Sequence, residues 1–293
     1  MTTNPIRPML AVPMSKANVN DWHDWSIETK YDGVRLIVEV GRSTVTAWTR
    51  PRGSSKDMAV RVLPKHLTIE LLTLPEGTYD GELMAGTTST DVTRLDLEHE
   101  RQFVVFDLLR DGVIHTSDWS YLVRRVRLAQ IFERTTVGPR AHVWLAESRP
   151  LTCKADVTRF VKSVWDDGGE GAILKRNAAR YQAGKRSPDF IKVKKESHEV
   201  MTIVGFQSTK GIIMDRGPFA IVVVEDKDGN RTTVKTVDDH QLAQFSNATD
   251  HSRQGFTDSH PAIGRKLMIE YQDRTRDGGY RHPRWDRWAE VGE

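Results

Sequence analysis

Glu28-Thr29-Lys30-Tyr31-Asp32-Gly33-Val34-Arg35 is the stretch on which the fold turns. It contains Lys-x-Asp-Gly-x-Arg and runs straight into a β-branched, apolar segment, Val34 to Val40. Asp-Gly is a turn signal, so Lys30 stands at the end of one extended segment and Arg35 near the start of the next. Taken alone, the pattern also fits a surface lysine beside an ordinary turn, and its neighbours decide what it means.

Working outward, Thr44 to Thr49 continues the β pattern, and Gly41-Arg42 between the two runs predicts a two-residue hairpin. Further strands are predicted at Thr78 to Met84, Gln102 to Leu108, Val143 to Ala146, Gly171 to Lys175 and Asp189 to Lys194. Two segments have helical period. From Trp119 to Arg134 the apolar residues Leu122, Val126 and Ile131 lie broadly on one face. From Lys154 to Asp167 the set Val157, Phe160, Val161, Val164 and Trp165 follows the i, i+3, i+4, i+7, i+8 rule, with Gly168 closing the helix.

After Lys195 the character changes to short strands near Met201 to Phe206, Phe219 to Glu225, Arg231 to Thr236 and Lys266 to Tyr271, with turns at Asp228-Gly229 and Asp277-Gly278. Such a segment suits a small Greek-key barrel of the OB type, and an SH3-like barrel would read much the same. With 293 residues, two unequal domains are expected, over residues 1–195 and 196–293.

Composition narrows the classes. Cys153 is the single cysteine, which excludes an internal disulfide framework and a four-cysteine zinc site and suits a reducing compartment. No run approaches the roughly 20 apolar residues that cross a bilayer, and prolines at 5, 8 and 13 with no basic-then-apolar stretch argue against a secretory signal. A cytoplasmic monomer without membrane contact is expected, in the host cytoplasm if the chain is phage-encoded. The net charge of +3 permits a phosphate-bearing partner if the basic residues cluster.

Four more segments follow the first motif in order: Asp80-Gly81-Glu82-Leu83, Phe106-Asp107-Leu108-Leu109, Glu170-Gly171-Ala172-Ile173-Leu174-Lys175 and Ile191-Lys192-Val193-Lys194. On these residues the chain resembles the minimal, two-domain ATP-dependent DNA ligases of the covalent nucleotidyltransferase superfamily, from about Pro8 to Trp288. The resemblance implies an α+β fold: a nucleotidyltransferase domain of ATP-grasp-like antiparallel sheets with helices, followed by an OB-fold β-barrel. It also implies sealing of 5′-phosphate/3′-hydroxyl nicks in duplex DNA through a lysine-AMP intermediate and a DNA-adenylate, with ATP and Mg²⁺ or Mn²⁺.

The chemistry asks for these residue types in its own right. Attack on an α-phosphate needs a nucleophile that carries the nucleotide and later releases it; a lysine amine serves when partly deprotonated, a state that neighbouring cations favour. The resemblance makes Lys30 that nucleophile. Asp32, Glu82 and Glu170 offer hard oxygen ligands for the metal, and Glu82 also suits the ribose hydroxyls. The chain has no Gly-x-x-x-x-Gly-Lys-[Ser/Thr] loop, so Arg35, Arg50, Lys175, Lys192 and Lys194 are the candidates to neutralise the phosphates. Alternation sends Lys192 and Lys194 to one face of their strand and Ile191 and Val193 to the other.

Nucleotide contact is also assigned to Thr29, and Phe106 stands at the family's base-stacking position. Glu28 can accept from the exocyclic amino group of adenine and would repel the oxygen of guanine, which favours ATP over GTP. Dependence on NAD is disfavoured, because ligases of that class carry a cysteine-bound zinc.

The end of the chain, Tyr280 to Trp288, resembles the family's last motif on the OB domain. Arg281 and Arg284, with Arg287, would meet the β and γ phosphates when that domain closes over the site. The usual Asp-Lys ending of that motif is absent, and Glu290-Val291-Gly292-Glu293 stands there instead. Gln207 to Pro218 is the candidate for a DNA-encircling latch. Two rivals remain: an RNA ligase or GTP-using capping enzyme with the same lysine motif, and a catalytically silent nucleic-acid-binding module.

Overall fold

A computed structural model describes residues 5–51, 57–86, 88–135, 142–207, 221–235, 262–274 and 278–290. The chain divides into two compact units, Met1–Lys194 and Lys195–Glu293. In the first, the order is β1 (Leu10–Pro13), β2 (Trp25–Lys30), β3 (Val34–Val40), β4 (Val45–Thr49), β5 (Ala59–Arg61), α1 (Lys65–Leu71), β6 (Gly77–Met84), β7 (Gln102–Asp111), β8 (Ile114–His115), α2 (Tyr121–Arg134), β9 (Val143–Leu145), β10 (Ser148–Pro150), α3 (Lys154–Asp166), β11 (Gly171–Arg176) and β12 (Arg186–Lys194). The second continues with β13 (Ser197–Gln207), β14 (Ile221–Glu225), β15 (Arg231–Lys235), β16 (Lys266–Tyr271), β17 (Asp273–Arg274), β18 (Tyr280–Arg281) and β19 (Arg284–Trp288).

Two sheets build the first unit. One has the order β1-β12-β11-β2-β10; the other runs β5-β4-β3-β6-β7-β8, with β9 also pairing β7. Alternation gives each sheet two different faces. In the first sheet Trp25, Ile27, Ala172, Leu174 and Ile191 turn toward Val157 and Val161 of α3 and form a core. In the second, Leu36, Val38, Tyr79, Leu83, Phe103, Val105 and Leu108 form another with Leu67 and Leu71 of α1 and Leu128 and Ile131 of α2. A third cluster joins the two sheets: Ile37 and Leu109 from one pack with Phe190 from the other, beside Met9 and Tyr181. The remaining polar faces look into the space between the sheets.

The second unit is a five-stranded antiparallel sheet, order β15-β14-β13-β16-β19, with the β17-β18 pair beside it, and it is OB-like. Met201, Ile203, Val222, Val224, Leu267 and Ile269 fill its own core. Gly229 takes a positive φ of 85° in the predicted turn after Asp228, and Gly278 does so at 79°. Apart from Gln207, the candidate latch Gln207 to Pro218 lies outside the described residues.

Two expectations need correcting. The first hairpin turns at Arg42-Ser43 rather than Gly41-Arg42: Val40 pairs Val45, and the Gly41 N–H donates to the Thr44 carbonyl at 2.8 Å. Helix α2 starts at Tyr121 behind the cap Ser120, and its buried face is Tyr121, Arg124, Leu128 and Ile131. Of the three apolar positions read as one face, Ile131 is buried, whereas Leu122 and Val126 are about half exposed, at 49% and 52%. Burial follows the partners on offer: Arg124 has Asp107 to pair with, at 2.7 Å, and is drawn inside. Helix α3 ends as expected, with the Gly169 N–H closing on the Val164 carbonyl and Gly168 on Trp165.

Candidate active site

Three neighbouring strands set the site by register. Residues directly opposite in an antiparallel ladder share a face, as do residues two apart along a strand. Lys30, Gly171 and Lys194 therefore form one row across β2, β11 and β12; Glu28, Ile173 and Lys192 form the next; Ser26, Lys175 and Phe190 form a third. This is the face turned away from the α3 core. The five sequence motifs thus meet: three come from the neighbouring strands β2, β11 and β12 with Glu170 just ahead of β11, Glu82 comes from β6, and Phe106 comes from β7 beside Lys175.

Glu170, just before β11, is buried and holds two ammonium groups, with Lys30 on Oε2 and Lys194 on Oε1. Burial alone would raise its carboxyl, but Lys30 and Lys194 outweigh that and hold it below its ordinary value. The Lys30 side chain is 23% exposed, open enough to be reached yet fixed in direction. Gly171 makes this possible. Its φ is 145°, and a Cβ there would lie 2.1 Å from the Val193 carbonyl oxygen, so any side chain would push β11 off β12.

Arg35 pairs Glu82 across β3 and β6. Burial pushes the Glu82 carboxyl up to about 7, against the pull of Lys30 and Arg35. Arg35 itself is committed inside the protein: Nε and Nη2 donate to Asp80 at 2.8 and 2.6 Å, and Nη1 donates to the Met9 carbonyl at 2.8 Å. Tyr181 donates to the same Asp80 at 2.7 Å. Expected to meet phosphate, Arg35 has most of its fork turned to Asp80.

Lys175 departs from expectation in the same way. Only 3% exposed, it pairs with Glu28 at 2.7 Å, donates to the Phe106 carbonyl at 3.1 Å and lies 4.7 Å from the Phe106 ring centre. Its ammonium is committed to Glu28 and Phe106. Phe106 is partly exposed at a bulge in β7, where Asp80 pairs Asp107 and Gly81 pairs Val105, so Phe106 is the extra residue and its ring is re-aimed. Beside it Arg124 grips Asp107 at 2.7 and 3.0 Å. Burial works to raise Asp107, but Arg124 prevails and its carboxyl sits below the ordinary value.

Thr29 sits on the opposite face of β2, paired with Ala172, and hydrogen-bonds Tyr31. Arg50 is exposed just past β4. Arg281 and Arg284 belong to the second unit, where Arg284 pairs with Glu270 on the neighbouring strand. Asp32, partly exposed, follows β2. Asp32, Glu82 and Glu170 do not converge into a three-ligand metal cluster; none exists among the described residues. Their oxygens have the right chemistry for Mg²⁺, which uses one or two carboxylates together with substrate phosphates rather than an all-protein cage.

Three residues escaped the sequence reading. Ile173 lies partly exposed in the row between Glu28 and Lys192 and packs against the Phe190 cluster, and alternation along Gly171-Ile173-Lys175 was the available signal. Tyr121 donates to Glu28 Oε1 and contacts Ser148 at 2.9 Å. Both come from elements far along the chain, and no local pattern marks them.

The family profile described as ATP dependent DNA ligase domain matches residues 8–194. Among curated proteins, the chain is 26% identical over 218 residues to the bifunctional non-homologous end joining protein LigD of Bacillus subtilis and 27% identical over 210 residues to a probable DNA ligase of Streptomyces griseus. Each alignment covers 65% of this chain but only 34% and 40% of those proteins. Among solved structures, a Lig E DNA ligase superposes with a TM-score of 0.71 at 18% identity, over 98% of this chain and 100% of that one. A mycobacterial DNA ligase D complexed with ATP and MES gives 0.52 at 20% identity, over 98% and 96%. These likenesses are in the fold.

Proposed function

Because this chain belongs to the ATP-dependent DNA ligase family, we propose that it seals 5′-phosphate/3′-hydroxyl nicks in duplex DNA, with Lys30 as the residue that carries AMP. The observation that supports this best is the single sheet face on which a reachable Lys30 is aimed by Glu170 beside Lys194 and Lys192, next to the half-open Phe106 ring.

Three exchanges at phosphorus follow. The Lys30 amine, deprotonated, forms an N–P bond to the α-phosphorus of ATP while the bond to the bridging oxygen breaks and pyrophosphate leaves. A 5′-phosphate oxygen at the nick then attacks that phosphorus, the N–P bond breaks and the amine is returned. The 3′-hydroxyl finally attacks the 5′-phosphorus and AMP leaves. Glu170 keeps the amine pointed along one line, and Lys192 and Lys194 offset the phosphate charge. Phe106 stacks on the base, with Ile173 on its other side, and Glu28 accepts from its amino group. Glu82, with its carboxyl near half-protonation at neutral pH, can both donate to and accept from a ribose hydroxyl. A divalent cation, Mg²⁺ or Mn²⁺, would supply charge neutralisation when bound, held by one or two of the carboxylates Asp32, Glu82 and Glu170 together with the substrate phosphates. A part in DNA repair is supported by the LigD relatives, which are named end-joining proteins.

The test is intact-mass measurement after incubation with ATP and Mg²⁺, run beside GTP, followed by sealing of a nicked duplex. The wild type should gain one AMP and seal; Lys30→Ala should do neither. An adduct that survives Lys30→Ala, or one formed only with GTP, overturns the proposal.

A further inference from the structure

Glu28 is 2% exposed and belongs to a row that also holds Ile173 and Lys192. Its two oxygens are claimed from two different elements. Lys175 on β11 holds Oε2 at 2.7 Å, and the hydroxyl of Tyr121, the first residue of α2, holds Oε1. A carboxylate offers about four lone pairs, so each oxygen keeps roughly one for a ligand, and its direction is set by where the other is spent. With Lys175 alone the carboxylate is free to turn about its terminal bond; the second anchor stops that rotation.

Tyr121 is itself fixed. Its backbone N–H donates to the Ala179 carbonyl at 2.7 Å, and its hydroxyl lies 2.9 Å from the hydroxyl of Ser148. Ser148 is directly opposite Glu28 in the β10-β2 ladder. A carboxylate only accepts, so Tyr121 donates to Glu28, and Ser148 must in turn donate to the Tyr121 oxygen. Burial, with Glu28 alongside, pushes the phenol well above its ordinary value, so Tyr121 stays a donor at any working pH.

We infer that Tyr121, oriented by Ser148, is a positioning residue for Glu28 and through it sets the preference of the site for adenine over guanine nucleotides. The inference rests on the adenylation reading above. Acting through Glu28, Tyr121 touches no reacting atom. It directs the spare lone pair of Oε1 to the base edge, where it accepts from the amino group of adenine and repels the oxygen of guanine.

The experiment compares wild type, Tyr121→Phe, Ser148→Ala and Glu28→Gln, with thermal melts run alongside. Tyr121→Phe keeps the ring, which lies 4.9 Å from the Lys175 ammonium, and removes only the donor. Its KM for ATP in lysine adenylation should rise roughly tenfold, the loss typical of a hydrogen bond to a buried charge, with kcat at saturating ATP within about twofold of wild type. The ATP-over-GTP ratio should fall by a similar factor. Ser148→Ala should move both the same way by less, and adding Tyr121→Phe to Glu28→Gln should change neither, because the two act as one unit. Equilibrium binding of ATP and GTP to Lys30→Ala, with and without Tyr121→Phe, reads the same preference without the covalent step. If the wild type forms no AMP adduct while this binding preference still depends on Tyr121, the adenylation reading falls and the inference stands. Wild-type KM and wild-type ATP-over-GTP ratio in Tyr121→Phe, or an equal loss of kcat with both nucleotides, overturns the inference.

Discussion

At Glu82 burial and charge pull in opposite directions, and burial prevails: its carboxyl sits at about 7, raised from 4.5, despite Lys30 and Arg35. Below about pH 4.5 the group is neutral in both folded and unfolded chains and favours neither. Between there and about pH 7 the unfolded chain gives up a proton that the folded chain keeps, so stability falls as pH rises. The full cost, up to about 3 kcal/mol, is present above pH 7. Glu82→Gln cannot titrate, so denaturant unfolding of the two chains should diverge across that window, with the wild type losing ground as pH rises. Parallel curves would show that Glu82 is not held neutral. At this scale the sequence was most legible for groups whose placement is set by local spacing. Lys30, Lys192 and Lys194 share one face because strand alternation and register put them there, and Glu170 reaches Lys30 and Lys194 from just ahead of β11. Arg35 and Lys175 were misjudged because their partners, Asp80 and Glu28, come from other strands, and spacing along a chain carries no information about cross-strand partners.

Helix α2 shows the same limit one scale up. Its existence and span were readable from period, but its inward face was not, because an arginine and a tyrosine supply half of it. Arg124 is 1% exposed, gripping Asp107 and donating to the Trp119 carbonyl at 2.6 Å, and this pair ties the helix to β7 immediately beside the bulged Phe106. Arg124→Ala would strand a buried carboxylate and should cost about 3–5 kcal/mol, with weaker ATP binding as Phe106 loses its support. Leu122→Ser, on the half-exposed face, should stay within about 0.5 kcal/mol. Chemical denaturation of both variants checks the contrast. An equal loss in the two would mean that the face named by apolar period is the packed one after all.

Across the whole molecule, strands were easier to locate than to connect. Every strand expected in the described part of the first unit is present within a few residues, since alternation is local, whereas the β1-β12-β11-β2-β10 order is set by pairings between far-separated segments, such as Val12 opposite Ile191. The second unit draws its core from its own strands: Met201, Ile203, Val222, Val224, Leu267 and Ile269 pack with one another, and among the described residues none of the first unit belongs to that cluster. Separate cores imply separable stability. Ile269→Ala, at a fully buried position of β16, should weaken the second unit by about 2–5 kcal/mol through lost burial and the cavity left behind. The Lys30–Glu170 row draws on none of those residues. Hydrogen exchange read by mass spectrometry should therefore show faster exchange in β13, β14, β16 and β19 of the variant, with β2, β11 and β12 still protected as in the wild type. Uniform loss of protection in both units would mean that the chain unfolds as one cooperative body, whatever its cores suggest.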